Sequence, residues 1–471
     1  MKKSLYAAAG KIFLMSAMIT MMSSCSIYRK YHRPEDLPTD SLYRADLVDT
    51  TGFSTAEEDT TSLGYLPWEE VFTDPDLQVL IRQGLEHNTD LQAAILSVEQ
   101  ARAQLMASRW AYVPSINLAP QGGLSSIDGG KATWTYNVNG SVSWDVDLFG
   151  SLLNSKRGAQ ATLLQQEAYR QAVRSQIIGT IATSYYALMM YDEQVAISEE
   201  NIDIYTEQVR TMEAQLKTGR ITENAVTQAR ANLYGLEASY ADLKRQRQET
   251  ENSLCSLLGQ PSGTITRGEL AKQTVPDNLT VGVPLQLLSN RPDVYQAEMA
   301  LASAYYTTNQ ARSAFYPKIT LSGSAGWTNS LGQAIVNPGG WLLSALGQLT
   351  QPILNNGQLR ANLRVSKAAE EIARLNYRQA LLDAGEEVNN AIYAIEIYDT
   401  MLAKHNSQVT DLERTVETAD LLYRKSASGS YLELLTARQS LLSARLNMVS
   451  DQYMKLQAVV SLYRALGGGK E

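Results

Sequence analysis

The sequence predicts an α+β membrane protein built from two internal repeats, each pairing a strand hairpin with a long helical hairpin. Three observations carry this: strict alternation from Thr133 to Gly150, two long proline-free helical stretches, and an echo of the first half of the chain in the second. In the alternating stretch Trp134, Tyr136, Val138, Gly140, Val142, Trp144, Val146 and Leu148 share one parity. Thr133, Thr135, Asn137, Asn139, Ser141, Ser143, Asp145 and Asp147 share the other. Such a pattern makes a strand with one apolar and one polar face. It is long beside the usual ~5–6 residues. Trp near both ends of the apolar face suits a transmembrane barrel strand with aromatic girdles. A sandwich strand with one wet face is the other reading, and this stretch alone does not separate the two.

The chain's 471 residues and 44% hydrophobic content allow a sizeable core. A net charge of −8 speaks against nucleic acid as a partner. His32, His87 and His405 are far apart, which argues against a histidine metal centre or catalytic site. There are no paired catalytic carboxylates in a loop context, no phosphate-cradling glycine loop and no nucleophile elbow. No enzyme activity and no cofactor are therefore expected.

Residues 1–24 read as a signal peptide. Lys2 and Lys3 precede an apolar run through Ile12, Phe13, Leu14 and Met15 to Met22, too short to span a membrane. The run ends at Ser23-Ser24-Cys25, which resembles a lipoprotein signal in which Cys25 is lipidated and becomes the mature N-terminus. Met22 departs from the usual Leu there, and ordinary cleavage nearby is the plainer alternative. Ser26 follows the Cys, so the Asp associated with inner-membrane retention is absent. Cys255, the only other cysteine, lies in a helical pattern, so a disulfide framework is not expected.

Residues 25–65 form a polar, acidic arm. A first repeat spans 66–261. Asp74-Pro75 reads as a helix N-cap followed by proline at the first helical position, with Leu77, Leu80, Ile81 and Leu85 as one stripe. A second helix runs from about Asp90 to Arg109. Strands follow at about 115–123 and 133–147. Ile178, Ile181, Tyr185 and Leu188 then step by a heptad-like seam. Lys217-Thr218-Gly219-Arg220 reads as a helix stop, and Thr222 as the next N-cap. A linker with strand-like pieces occupies 262–290. The second repeat spans 291–468, with strands at about 318–327 and 341–353. Pro317 lies 203 residues after Pro114, and Arg438 lies 208 after Arg230. Its helices keep the seams Val409, Leu412, Val416, Ala419, Tyr423 and Leu435, Gln439, Leu442, Leu446, Val449, Tyr453, Leu456, Val460, Tyr463. Taken alone, the helices would also suit a soluble bundle. Met189-Met190 invites a soft-metal reading, but core packing explains such residues more simply.

Four strands cannot close a barrel, and an open edge cannot face lipid, so the chain must oligomerise. Two copies give eight strands, a size that side chains fill; three give twelve, enough for a lumen.

At this point the sequence resembles the outer-membrane efflux proteins, the TolC-like channels, and specifically their lipoprotein branch. The matching pieces are Trp68 with Asp74-Pro75 and Leu77; Asn88 with Asp90-Leu91; Trp144-Asp145-Val146-Asp147-Leu148-Phe149-Gly150; Arg291-Pro292-Asp293-Val294 with Ala297-Glu298; Phe315-Tyr316-Pro317 with Ile319 and Leu321; Gln351-Pro352-Ile353; and Tyr431-Leu432-Glu433 with Leu435. Their order, repeated at a nearly fixed offset, is the specific feature. The resemblance implies a homotrimer whose transmembrane β-barrel is continuous with a long periplasmic α-helical barrel. It implies an exit duct in the outer membrane for drugs or metal ions, partnered by a periplasmic adaptor and an inner-membrane transporter of the RND type. A type I protein-secretion duct and a structural coiled-coil envelope lipoprotein are the alternatives. In the family, acids at the positions of Glu433 and Thr436 line the periplasmic constriction; here only Glu433 is acidic. The first-repeat counterparts, 208 residues earlier, are Ala225 and Gln228. Opening would break contacts near Lys217, Arg220, Tyr423 and Glu433. A solvated helix-face residue is the plainer reading of Glu433.

Mass spectrometry of the mature N-terminus is expected to find a diacylglyceryl group on Cys25. An unmodified Cys25, or cleavage elsewhere, would overturn the lipoprotein reading.

Overall fold

The computed structural model describes residues 28–34, 42, 63–126, 129–274, 291–328, 341–425 and 431–470. After a single helical turn at Trp68–Val71 come α1 (Pro75–His87), α2 (Thr89–Trp110), β1 (Ser115–Ser125) and β2 (Thr133–Val146). Then follow α3 (Ser151–Lys217), α4 (Glu223–Leu257), α5 (Pro292–Ser313), β3 (Lys318–Thr328), β4 (Trp341–Thr350), α6 (Gln358–Lys425) and α7 (Tyr431–Ala465). The order helix, two strands, long helix, shorter helix thus occurs twice. At 67 residues α3 is about 100 Å long. No helix among the described residues is long and apolar enough to cross a membrane.

The chain divides into two compact units. The first comprises Met1–Leu37, Leu96–Glu167 and Tyr295–Gln379 and contains the sheet. Its strands run antiparallel in the order β1-β2-β3-β4. The register keeps the alternation coherent across all four strands. Leu118 faces Gly140, Gly140 faces Ala325, and Ala325 faces Leu343. One face of the sheet is therefore apolar throughout. Among the described residues nothing covers it at β1 and β4: Ile116 is 78% exposed and Leu343 83%. The opposite face is largely polar, though Leu346 of β4 lies on it, and the Ser324 and Ser344 hydroxyls there are 2.8 Å apart. Asp145 there accepts from Thr320 Oγ1 and pairs with Lys318 Nζ, each at 2.8 Å. Val98, Ala101 and Leu105 of α2 pack on Leu163 of α3 in the same unit.

The second unit comprises Pro38–Ile95, Ala168–Val294 and Ala380–Glu471. Asp74 caps α1 by accepting from the Asp76 and Leu77 amides at 2.9 and 3.4 Å. Its other oxygen accepts from Tyr185 Oη at 2.9 Å and Gln273 Nε2 at 2.7 Å. One carboxylate thereby ties α1, α3 and the segment after α4 together. Ile178, Ile181, Tyr185 and Leu188 of α3 are all fully buried in a cluster with Leu254, Val388, Val460 and Tyr463. Each such side chain contributes roughly 1.5–3 kcal/mol by leaving water.

Several sequence expectations need correction. The fourth strand stops at Thr350, not 353. Pro352 has no N–H for a ladder, and the Gln351 side chain donates instead to the Phe315 carbonyl at 2.9 Å. β1 runs on to Ser125 rather than 123, still paired with β2. β2 ends at Val146, one residue early, because the Asp147 carboxylate accepts from the Leu153 amide at 2.8 Å and starts α3. Thr222 occupies an N-cap position but makes no side-chain capping bond. The described part of the linker, 262–274, holds no strand; it packs through buried Ile265 and Leu270, the latter in a 3-10 turn.

Gly259 ends α4 with a φ of +69°, and a Cβ there would lie 2.8 Å from the His87 carbonyl oxygen. Gly259→Ala is expected to cost about 1–2 kcal/mol from the left-handed backbone alone, read as a lower thermal midpoint by circular dichroism. Gly235→Ala, in open space inside α4, should hold or raise the midpoint, Ala being about 1 kcal/mol better in a helix. A Gly259→Ala protein that melts with the wild type would refute the tight packing of α1 against this cap.

Candidate functional site at the hairpin tips

Of the residues singled out by sequence, Cys25 lies outside the described residues. The others gather at the ends of the two helical hairpins, in the second unit. The first tip closes on Gly219, whose φ of +70° lets the chain reverse. Gly219 N–H donates to the Leu216 carbonyl at 2.9 Å and Arg220 N–H to the Gln215 carbonyl at 3.0 Å. Lys217 is the last residue of α3, where a cation complements the helix dipole. Lys217 and Arg220 side chains are exposed and form no ion pair among the described residues.

Beneath the tip, Tyr205, Val209 and Met212 of α3 pack with Val226, Ala229 and Leu233 of α4 and with Leu435 of α7. This apolar patch binds the second hairpin to the first. Polar contacts flank it. Tyr423 Oη of α6 donates to Gln215 Oε1 of α3 at 2.9 Å. Its ring lies 6.1 Å from that of Tyr431 in the first turn of α7. Arg438 of α7 donates to Gln208 Oε1 of α3 at 2.8 Å and to Asp420 Oδ1 of α6 at 3.2 Å. One guanidinium therefore joins three helices.

The region is buried but not fully paired. The Tyr205 and Tyr431 hydroxyls and Gln208 Nε2 have no hydrogen-bond partner among the described residues. Each such group costs roughly 1–3 kcal/mol. Burial pushes the Tyr431 hydroxyl up to about 12, helped by Tyr205 and Tyr423 nearby. Tyr205 is raised for the same reason, opposed by Arg438. Glu433 and Thr436 sit on the exposed face of α7. Glu433 is in the first turn, where the helix dipole favours an anion. Thr436 bonds back to the Leu432 carbonyl at 2.8 Å. The structure thus joins Tyr423 to α3 within its chain, and leaves Lys217, Arg220, Glu433 and Thr436 facing outward.

Sequence reasoning missed Gln208, Gln215, Asp420 and Arg438. A signal was present. Tyr423 and Gln215 are 208 residues apart, the spacing that separates Arg438 from Arg230. Arg230 pairs with Glu213, 17 residues earlier, and Arg438 with Asp420, 18 earlier. Among the described residues no cluster of His, Cys, Asp and Glu could hold a metal ion.

A model of the outer membrane efflux protein family matches residues 80–260 and 283–468. The chain belongs to this family. It is 28% identical over 455 residues to the cation efflux system protein CusC of Escherichia coli, covering 95% of this chain and 96% of that one. It is equally 28% identical over 468 residues to the probable outer membrane lipoprotein SilC of Salmonella typhimurium, covering 98% of each. The crystal structure of the open state of the Neisseria gonorrhoeae MtrE outer membrane channel matches with a TM-score of 0.79 at 27% identity, covering 94% of this chain and 98% of MtrE. This efflux protein is therefore an outer-membrane channel, and its exposed apolar sheet face is the surface that lipid would cover.

Arg438→Ala removes the group that joins α3, α6 and α7. Amide exchange in the last turns of α6 is expected to quicken by about tenfold, or roughly 1.4 kcal/mol. Arg245→Ala, whose partners Asp242 and Glu249 are exposed on its own helix, should leave exchange unchanged. Equal behaviour of the two variants would remove Arg438 from any role in holding the tip.

Proposed function

We propose that this efflux protein is the exit duct of a tripartite pump, acting as a homotrimer with a periplasmic adaptor and an inner-membrane transporter of the RND type. The observation that carries the reading is the open sheet. β1 and β4 are edges within one chain, while the apolar face they share is exposed. Lipid supplies no hydrogen bonds to such edges, so β1 of one protomer pairs with β4 of the next. Three copies make a barrel of twelve strands, wide enough for a lumen. The cargo passes without chemistry, and the pump supplies the energy. Residues 66–261 and 291–468 are the two repeats of a duplicated unit, 262–290 their linker, 1–24 the signal peptide and 25–65 a lipidated arm anchored through Cys25.

The hairpin tips are the gate. The half-satisfied lock of Tyr423, Gln215, Arg438, Asp420 and Gln208 supports this, since buried polar groups without partners lower the cost of parting the hairpins. In a trimer three copies of Glu433 would ring one axis, with Thr436 one turn further along and Lys217 and Arg220 on the facing tip. Three carboxylates so placed attract cations and resist full ionisation together. CusC is named for cation efflux, which suits such a ring; small cations are the cargo class it favours here.

The pure protein should run as a heat-modifiable trimer in detergent and conduct in planar bilayers. Glu433→Ala is expected to lower cation preference, and Glu433→Lys to reverse it. If neither alters conductance or selectivity, Glu433 does not line the aperture. A monomeric, non-conducting wild type would overturn the duct itself.

A further inference from the structure

Between arm residues Arg29–Pro34, α5 and the first third of α6 lies an open pocket of about 510 Å³. That is within the ~300–1,000 Å³ of small-molecule sites. Its wall carries Arg29, Lys30, Arg312 and Lys367, with the rings of Tyr31 and Tyr305. Glu370, Glu371, Arg374 and His32 complete the charged and titratable lining. Arg374 holds Glu371, donating Nε to Oε2 at 3.0 Å and Nη2 to Oε1 at 2.7 Å. Four cations then face one remaining carboxylate, Glu370. Arg29, Lys30 and Lys367 have no ion-pair partner among the described residues, and Arg312 donates only to the neutral Asn309, at 2.7 Å. Such an excess of cations in one concavity gives it a positive potential that draws anions.

The wall is fixed by contacts other than these cations. Arg33 grips Glu298 bidentately at 2.9 and 2.6 Å. The Tyr31 amide donates to Tyr306 Oη at 3.1 Å, and the Tyr31 and Tyr305 rings meet edge-on at 6.0 Å. Arg157 Nη1 donates to the Tyr28 carbonyl at 3.0 Å, and the Tyr28 hydroxyl donates to the Leu148 carbonyl, just past the end of β2.

Two features set the pocket at the level of lipid headgroups. Arg312 is in the last turn of α5, six residues before Lys318 opens β3. At that same end of the sheet aromatic rings collect: Trp144 donates to the Tyr112 carbonyl at 3.1 Å, and Phe149 stacks on Tyr316 at 4.9 Å. Aromatic residues gather where membrane meets water. The sequence adds that Arg29 is four residues from Cys25, a reach of at most about 14 Å.

We propose that this pocket seats the phosphodiester headgroup of an anionic phospholipid from the periplasmic leaflet of the outer membrane. Arg29 and Arg312 present forked N–H donors matched to phosphate oxygens, Lys30 and Lys367 add point charges, and the tyrosines give the glycerol a flat apolar rest. The inference rests on the barrel reading above, which makes this end of the sheet the periplasmic interface.

The test uses the full-length lipidated protein in nanodiscs of phosphatidylcholine containing a minor share of phosphatidylglycerol. Lipids retained on release are counted by native mass spectrometry. Wild type should hold phosphatidylglycerol in preference to phosphatidylcholine. Arg29→Gln with Lys367→Gln should reduce that preference by about tenfold, while Arg210→Gln, in an exposed pair with Glu207, keeps it. Unchanged retention in the double variant overturns the proposal. So does release of the lipid by millimolar inorganic phosphate, which would mark a free-anion site. An inserted wild type without lipid preference sinks the pocket alone; a wild type that does not insert sinks the barrel reading and the pocket with it.

Discussion

Everything in this molecule answers to one constraint: in a bilayer every backbone N–H and C=O must find its partner within protein. Four antiparallel strands satisfy this internally and fail at both edges. The failure is coupled to side-chain pattern. A register that aligns Leu118, Gly140, Ala325 and Leu343 puts Ile116, Val142, Leu321 and Leu349 on the same face with them. A slip of one residue would turn those side chains to the polar side. The same register gathers Asp145, Thr320 and Lys318 on the polar face. The sheet of one protomer thus ends at two edges, β1 and β4, that have no strand partner among the described residues.

The helices solve a different problem, holding long elements parallel without lipid. Their stability is unevenly spread. Around α1 the seam residues of α3 are fully buried. The polar groups there are paired several times over: Asp74 serves a helix cap, Tyr185 and Gln273. Arg267 likewise bridges to Glu251 at 2.8 Å, and Asp192 faces its other donors. At the hairpin tips the apolar patch is small, and three buried polar atoms go without partners among the described residues. Local opening free energies follow such differences in packing and satisfaction. The helices are therefore well paired around α1 and more loosely paired at the tips.

Much of this was legible in the chain. The period-two alternation at 133–146 located a strand and its lipid-facing side, since side-chain direction in a strand is fixed by parity alone. The seam Ile178, Ile181, Tyr185, Leu188 named core residues because helical spacing puts them on one stripe. Asp74-Pro75 and Gly219 marked a helix start and a helix stop through local backbone chemistry. All of these are short-range properties, so neighbours in sequence suffice to determine them.

The structure alone decided the pairings. Period and parity say which face a residue occupies, not what it meets. Arg438 reaches Gln208 across 230 residues, and Arg33 finds Glu298 across 265. Nothing in either local sequence names the partner. Pro352 sat inside an apolar run that looked like strand, yet a missing N–H and the turn of Gln351 toward Phe315 ended the ladder two residues earlier. Residues 262–274 looked like a linker with strand pieces, but burial of Ile265 and Leu270 made them part of the core. The sequence by itself determined the elements and their faces, because those follow from backbone geometry and hydrophobic period. Which polar side chains lock the tips, and which cations share the arm pocket, had to await the tertiary structure, because long-range side-chain contacts depend on how the elements cross.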